Sequence, residues 1–234
     1  MKSAKAEATS SATELLVSVD TKAVVKVGEF SREGTTRVAT KALDHDFNAD
    51  AVVTPVGILV PQHDALRIFM ATSKATSDCI VDCFEMWWAD ARPQFPEVKR
   101  LTLLQDNGPE NSGRRTQFLK RMVDFVNNQH IDVRLAYYPP YHSKYNPIER
   151  CWGTLEKHWN GSLLDTVNTV VEFAKTMTWK GVHPAVTLVT KTYAAGVKLG
   201  KTAMKAVEAQ LQRRVGLEPW FVDIRCQPDR QLSG

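Results

Sequence analysis

Asp20, Asp106 and Glu149 are the residues of this 234-residue chain best placed to do chemistry together. Asp20 closes the apolar, β-branched run LLVSVD, and Asp106 directly follows a second such run, RLTLLQ. Glu149 comes just after Asn146-Pro147, a pair suited to opening a helix. Three carboxylates delivered from the ends of separate elements are what a metal-dependent phosphoryl-transfer site requires. Breaking a phosphodiester takes an activated water, and joining strands takes an activated 3′-hydroxyl, each with a clamp on the charge growing at the leaving oxygen. Two Mg²⁺ or Mn²⁺ ions ~3.5 to 4 Å apart supply both functions, and hard carboxylate oxygens suit either metal. In that scheme Asp20 bridges the two ions, Asp106 completes one and Glu149 the other. The ions keep the clustered acids charged despite their mutual repulsion, so the metal-free site is expected to be locally destabilised.

Each acid also has an ordinary role open to it. Asp106-Asn107-Gly108-Pro109 has the composition of a turn that ends a strand. With Asn146 as N-cap and Pro147 as the first helical residue, Glu149 falls at the third position, where a carboxylate satisfies the helix terminus. Asp44, Asp46, Asp82 and Asp132 show that spare acids are plentiful. The joint placement of the three, not any one of them, singles them out. Glu156 shares the helix face of Glu149 but lies ~10 Å farther along, which makes it a poor further ligand.

The elements that must position these acids can be read in order. Residues 1–13 are small and polar and read as a disordered tail. Residues 15–20 form a strand that residues 23–28 can extend, and residues 31–41 have the composition of a solvated loop. Two apolar runs, 52–60 and 66–71, flank Pro61-Gln62-His63-Asp64 as a hairpin. From Ser77, the apolar residues Ile80, Cys83, Phe84, Trp87 and Trp88 recur at helical spacing up to Pro93. A strand over 100–105 precedes a helix over 114–127, marked by Phe118, Met122, Phe125 and Val126, and a strand over 131–137 follows. After irregular residues 138–146 a helix starts at Pro147; Ile148, Trp152, Leu155 and Trp159 recur at four-three-four spacing, so both tryptophans should face the core.

The resulting order β, β, β, α, β, α, β, α specifies an α/β domain. Its expected architecture is a mixed five-stranded sheet flanked by helices, antiparallel first and then joined by right-handed crossovers. That is the order of an RNase H-like fold. The core should occupy 14–160, with 161–234 as a helical extension of the same domain: helices at 165–178 and 202–213, then a short strand at 220–224.

Composition bounds the rest. Thirty Lys and Arg against 26 Asp and Glu leave a net charge of +4, mildly basic and insufficient alone to establish a nucleic-acid partner. Four scattered cysteines read as reduced thiols, and neither a signal peptide nor an apolar run of membrane-spanning length is present. The expected location is cytoplasmic, and membrane functions drop out. A zinc site could draw on Cys79, Cys83, His142, Cys151 and His158, but Cys79 and Cys83 lie on an apolar helical face and no close-paired ligand set recurs.

Three blocks carry a family resemblance: SVDTK (18–22), QDNGPEN (105–111) and YYPPYHSKYNPIERCW (137–152). Together they resemble the DDE class of bacterial insertion-sequence transposases, specifically the Rhodopirellula-type DDE transposases, distant relatives of mariner-like elements. The resemblance runs from about residue 15 to residue 224. It implies that three acids bind two divalent ions, cut DNA at the ends of an element and join the freed 3′-hydroxyl to target DNA. Asp20, Asp106 and Glu149 match those positions one by one. The 42 residues between Asp106 and Glu149 exceed the usual mariner-like spacing, leaving room for one extra turn or loop.

The chain departs from that class upstream: 19 residues before Asp20 cannot hold a helix-turn-helix module that reads terminal repeats. The expectation is a truncated frame, or end recognition supplied from elsewhere. The implied partner is DNA, both element ends and target, with a homodimer expected because pairing two ends takes two sites. Phosphates call for Lys and Arg and exposed bases for flat side chains. Lys22, Arg114, Arg115, His142, Lys144, Tyr145 and Arg150 are therefore the candidate DNA contacts. The alternative for Arg114, Arg115, Lys120 and Arg121 is an ordinary solvated helix face, and for Tyr137 and Tyr138 sheet packing. Two competing functions keep the same fold: an inactive relative retained for DNA binding, and a generic RNase H-like nuclease.

Overall fold

The computed structural model describes residues 2–30, 49, 51–139 and 141–227. Five strands make the centre of the sheet: β1 (Glu14–Thr21), β3 (Ala51–Val60), β4 (Ala65–Ala71), β5 (Arg100–Gln105) and β6 (Asp132–Tyr137). They lie in the order β4-β3-β1-β5-β6. β3 pairs antiparallel with both β1 and β4, whereas β1, β5 and β6 run parallel. This is the mixed sheet that the element order specifies, with β1 at its middle.

Strand β1 is buried on both faces, and its alternation sorts its side chains. Leu15, Val17 and Val19 join the core under helices α2 (Ser77–Ala91) and α3 (Thr116–Gln129). Leu16, Ser18 and Asp20 point to the opposite face, where Leu16 packs with Ala8 of helix α1 (Lys2–Ser10). A second core on that face joins Leu59, Ile68 and Met70 to helices α4 (Glu149–Trp159) and α5 (Val167–Thr176). Helix α2 starts where Thr76 accepts a hydrogen bond from the Cys79 N–H, and it gives way at Arg92-Pro93 to a single 3-10 turn.

Several sequence expectations change. Residues 2–10, read as part of a disordered tail, are helical, and Ala8 is buried against the sheet. Residues 23–28 do not extend β1; β2 (Val25–Val27) is a separate strand on β3. Among the described residues the sheet has nine strands, the five expected ones and four more. The C-terminal region is not all helical: β7 (Ala185–Val189) joins β4 at one edge, while β9 (Phe221–Ile224) joins β6 at the other and carries β8 (Leu211–Arg213) outside it. Helix α6 (Lys201–Glu208) therefore ends before the residues expected to continue it. Those added strands cover edges that would otherwise expose unpaired backbone. The expected loop over 31–41 lies outside the described residues. No helix among the described residues is long and apolar enough to cross a membrane.

Helix α4 comes so close to the sheet that one position beneath it has no room for a side chain. A Cβ on Gly57, which pairs with Asp20 across β3 and β1, would stand 2.4 Å from the Trp152 ring and 2.6 Å from Ile148 Cδ1. Gly57→Ala is therefore expected to destabilise the protein by ~1 to 3 kcal/mol through overpacking. A chemical denaturation midpoint equal to that of the wild type would show that α4 has room to spare.

Candidate active site

Parallel strands β1 and β5 end side by side, and the candidate acids stand at those carboxyl ends, where open α/β sheets usually place their sites. Asp20 is the penultimate residue of β1 and only 7% exposed; Asp106 follows β5 directly; Glu149 opens α4 and is half-buried. The structure thus brings together residues from three distant stretches of chain.

Each acid is held by a neighbour. The Trp152 indole N–H donates to Asp20 Oδ2 at 2.8 Å, and Asn111 Nδ2 donates to Asp106 Oδ1 at 3.0 Å. Asn111 is itself buried: its amide also reaches Gln105 Oε1, and its carbonyl accepts from the Tyr137 hydroxyl. Glu149 is placed through the residues before it. Ser18 Oγ donates to Asn146 Oδ1 at 2.5 Å and accepts from the Ile148 N–H at 3.1 Å, while Asn146 Nδ2 donates to the Val19 carbonyl. This latch spends the Asn146 side chain on β1, so Asn146 is not the N-cap that its type suggests. The helix begins two residues later than expected, at Glu149, through a tight turn in which Glu149 N–H donates to Asn146 O.

Electrostatically Asp20 and Glu149 are perturbed. Burial pushes the Asp20 carboxyl up to about 7, and the charges of Asp106 and Glu149 push the same way, against the hydrogen bond from Trp152. Glu149 is also raised, first by burial and then by Asp106, with Lys22 opposing. Lys22 does not stand free as a DNA contact: it is ion-paired with Glu156, which lies two turns beyond Glu149 on the same helix. Arg115 does not open α3 but precedes it, and its guanidinium pairs with Glu110 at 3.1 Å and reaches Ser77 Oγ, so it ties α3 to α2. Arg121 is likewise committed, to Asp78, Asp82 and Glu85. Arg114, His142, Lys144, Tyr145 and Arg150 are exposed. Tyr137 and Tyr138 are buried in the sheet.

Sequence reasoning missed Asn111, Ser18 and Lys5. The Asn111 signal was present in the QDNGPEN block, whereas the partnership of Ser18 with Asn146 spans 128 residues. Lys5 belonged to the supposed tail, yet its ammonium donates to the Tyr145 carbonyl at 3.3 Å. Burial, followed by the nearby charge of Arg150, lowers its pKa.

Among the described residues, no three of His, Cys, Asp and Glu converge into a ready metal cage. The acids nevertheless fit Mg²⁺ or Mn²⁺ in kind. The donors are hard oxygens, the cost of ionising the buried one is only partly offset by its hydrogen bonds, and Mg²⁺ typically takes one or two carboxylates and fills its shell with water and phosphate oxygens. A zinc module finds no support in placement: Cys79 and Cys83 are sealed in the core beneath α2, and Cys151 in the core on the other face of the sheet.

A family model described as the Rhodopirellula transposase DDE domain matches residues 2–226. The chain belongs to that family. No curated protein matches the sequence significantly. Among solved structures, this DDE domain is similar to the Mos1 transposase paired-end complex with left transposon end, at 10% identity and a TM-score of 0.51 over 69% of this chain and 46% of that one. The Mos1 mariner paired end complex with Mn aligns at 13% identity, covering 73% and 49% of the two chains with a TM-score of 0.48. The HTLV-2 integrase catalytic core domain in complex with magnesium aligns at 14% identity, covering 72% and 92%, with a TM-score of 0.40. At 10% identity the likeness to the first of these is one of fold, the RNase H-like sheet. The chain spans about half the length of the Mos1 chains it matches.

Two outcomes follow from the geometry of this DDE domain. The folded protein holds the Asp20 proton more tightly than the unfolded chain, where the carboxyl returns to its ordinary value of 3.8. The group's contribution to stability is therefore complete below pH ~4 and is lost as the pH rises through 7. In the absence of metal, wild type should lose on the order of 1 to 3 kcal/mol from this group between pH 5 and pH 8, and Asp20→Asn should be the more stable of the two at pH 8. Urea midpoints at both pH values check this; parallel pH slopes would acquit Asp20. Ser18→Ala, which strands Asn146 Oδ1 and the Ile148 N–H, is expected to cost ~1 to 3 kcal/mol and to speed hydrogen exchange at the start of α4. Unchanged exchange there would mean that the latch does not hold the helix.

Proposed function

We propose that this DDE domain cleaves DNA at the ends of a mobile element and joins the freed 3′-hydroxyl to target DNA, using Asp20, Asp106 and Glu149 to hold two Mg²⁺ or Mn²⁺ ions. The observation that carries the reading is Asp20. An aspartate nearly sealed at the middle of a sheet, with two further acids opposing its ionisation beyond what the Trp152 hydrogen bond offsets, costs stability that bound cations would restore. Family membership supports the same class of reaction.

When bound, the ions would activate the attacking oxygen and neutralise charge on the leaving one. The remaining work falls to the chain itself. Trp152 and Asn111 each fix one oxygen of an acid, so the carboxylates of Asp20 and Asp106 are oriented before substrate arrives. The Ser18–Asn146 latch sets where Glu149 begins its helix, and Lys22, held by Glu156, moderates the negative charge there. Exposed Arg114, Lys144 and Arg150 are the cations with room to meet phosphates. The Mos1 structure with a transposon end is described as a paired-end complex. Pairing two ends requires two sites, so a homodimer on DNA is the assembly proposed here.

The test is nicking and strand transfer on DNA bearing candidate element ends, with Mg²⁺ or Mn²⁺ and with EDTA. Wild type should act only with metal. Asp106→Asn and Glu149→Gln should each slow the reaction at least ~10²-fold, as the loss of several kcal/mol of charge stabilisation implies, while their circular dichroism stays that of the wild type. Metal-dependent cleavage that survives in both variants would remove the triad from the chemistry. DNA binding without cleavage by the wild type would favour a relative retained for binding alone.

A further inference from the structure

The loop between β6 and α4 contains an aromatic residue that neither folding nor the triad explains. Tyr141 is 95% exposed, so it packs against almost nothing. Its backbone is also out of character. The His142 N–H donates to the Pro139 carbonyl at 3.0 Å, closing a four-residue turn with Tyr141 at its third position and a φ of +66°. A positive φ is adopted without strain by Gly and readily by Asn; a bulky side chain at that φ costs on the order of 1 kcal/mol or more. A large, exposed, strained ring implies a contact outside the chain.

Its surroundings indicate what that contact is. Tyr145, on the same loop, is 59% exposed, with the His142 ring 5.8 Å from its own and the Lys144 ammonium 5.4 Å from its centroid. The base of this aromatic group is fixed. The Tyr145 carbonyl accepts hydrogen bonds from the Tyr138 hydroxyl at 2.9 Å and from Lys5, and the next residue is Asn146 of the latch. Exposed rings beside exposed Lys144 and Arg150, on a loop anchored four residues before Glu149, combine flat stacking surfaces with phosphate-seeking charge. That is the chemistry by which proteins grip unpaired nucleotides.

We propose that Tyr141, together with Tyr145, forms a stacking platform for an unpaired nucleotide of the DNA strand that enters the carboxylate site, an assignment that rests on the DNA-processing reading above. The turn presents the Tyr141 ring to solvent, where it meets a base in place of its own protein. A paired base inside a duplex hides its faces, so the platform discriminates frayed or single-stranded ends from closed duplex.

The test measures binding of the full chain, with Ca²⁺ in place of Mg²⁺ to keep DNA intact, to a labelled duplex bearing a short 3′ overhang and to the blunt duplex of the same sequence. Wild type is expected to prefer the overhang. Tyr141→Asn, which suits the positive φ, should keep or raise the thermal midpoint yet weaken overhang binding ~5- to 150-fold, with the blunt duplex little affected. Tyr141→Phe should bind as wild type does, and an abasic overhang should reduce the wild type to the level of Tyr141→Asn. The proposal is overturned if Tyr141→Asn keeps the wild-type preference, if it loses equally on both DNAs, or if Tyr141→Phe fails as badly. Wild type binding neither DNA would instead bring down the DNA-processing reading, and this platform with it.

Discussion

Everything at the site depends on one buried hydroxyl. Ser18 lies in the middle of the central strand, on the face where α4 must dock, and among hydrophobic neighbours it would be a liability if left unpaired. It is satisfied by two groups from a single segment, the Asn146 carboxamide and the Ile148 amide, and Asn146 returns a bond to the backbone of the same strand. Because a buried polar group tolerates few alternative arrangements, this bond set determines where α4 begins. Glu149, Trp152 and the indole contact to Asp20 all follow from it. Gly57 completes the fit from the neighbouring strand by leaving space for the Trp152 ring.

Against that rigid dock stands a deliberate electrostatic cost. Most charged groups nearby are compensated: Lys22 by Glu156, Arg115 by Glu110, and Arg121 by three acids of α2. The Asp20 carboxyl differs, since burial and two neighbouring acids all oppose its ionisation. A protein that satisfies its ion pairs elsewhere and leaves repulsion at the ends of β1 and β5 spends stability at that place, as functional sites do. The strained turn at Tyr141, on the loop leading into α4, belongs to the same pattern.

Much of this was legible in the chain, where the physics is local. Alternation and β-branched residues marked the five central strands, and helical spacing marked α2, α3 and α4, because a strand or helix announces its buried face in its own sequence. Errors came where a local rule met a distant competitor. Asn146 reads as a helix cap, but Ser18 offers its carboxamide a buried partner that local capping rules cannot foresee. Arg115 reads as a free cation beside an acid, but Ser77 at the start of α2 and Glu110 in the segment after β5 converge on it. Residues 2–10 carry too little apolar surface to declare a helix, and the buried Ala8 acquires its meaning from Leu16, Leu104 and Tyr138. The C-terminal strands are short, and their pairing at the sheet edges depends on neighbours far away in sequence.

By itself the sequence determined the α/β class, the order of the core elements and the identity of three acids at element ends, since each is a property of residue type and short-range spacing. Only the tertiary structure decided that those acids stand near enough to oppose one another's ionisation, that Trp152 and Asn111 hold two of them, and which cations keep their charge available. Those outcomes turn on contacts between residues far apart in the chain, as Trp152 is from Asp20 at 132 positions. They arise when burial forces every polar group in the core to find a partner wherever the fold provides one.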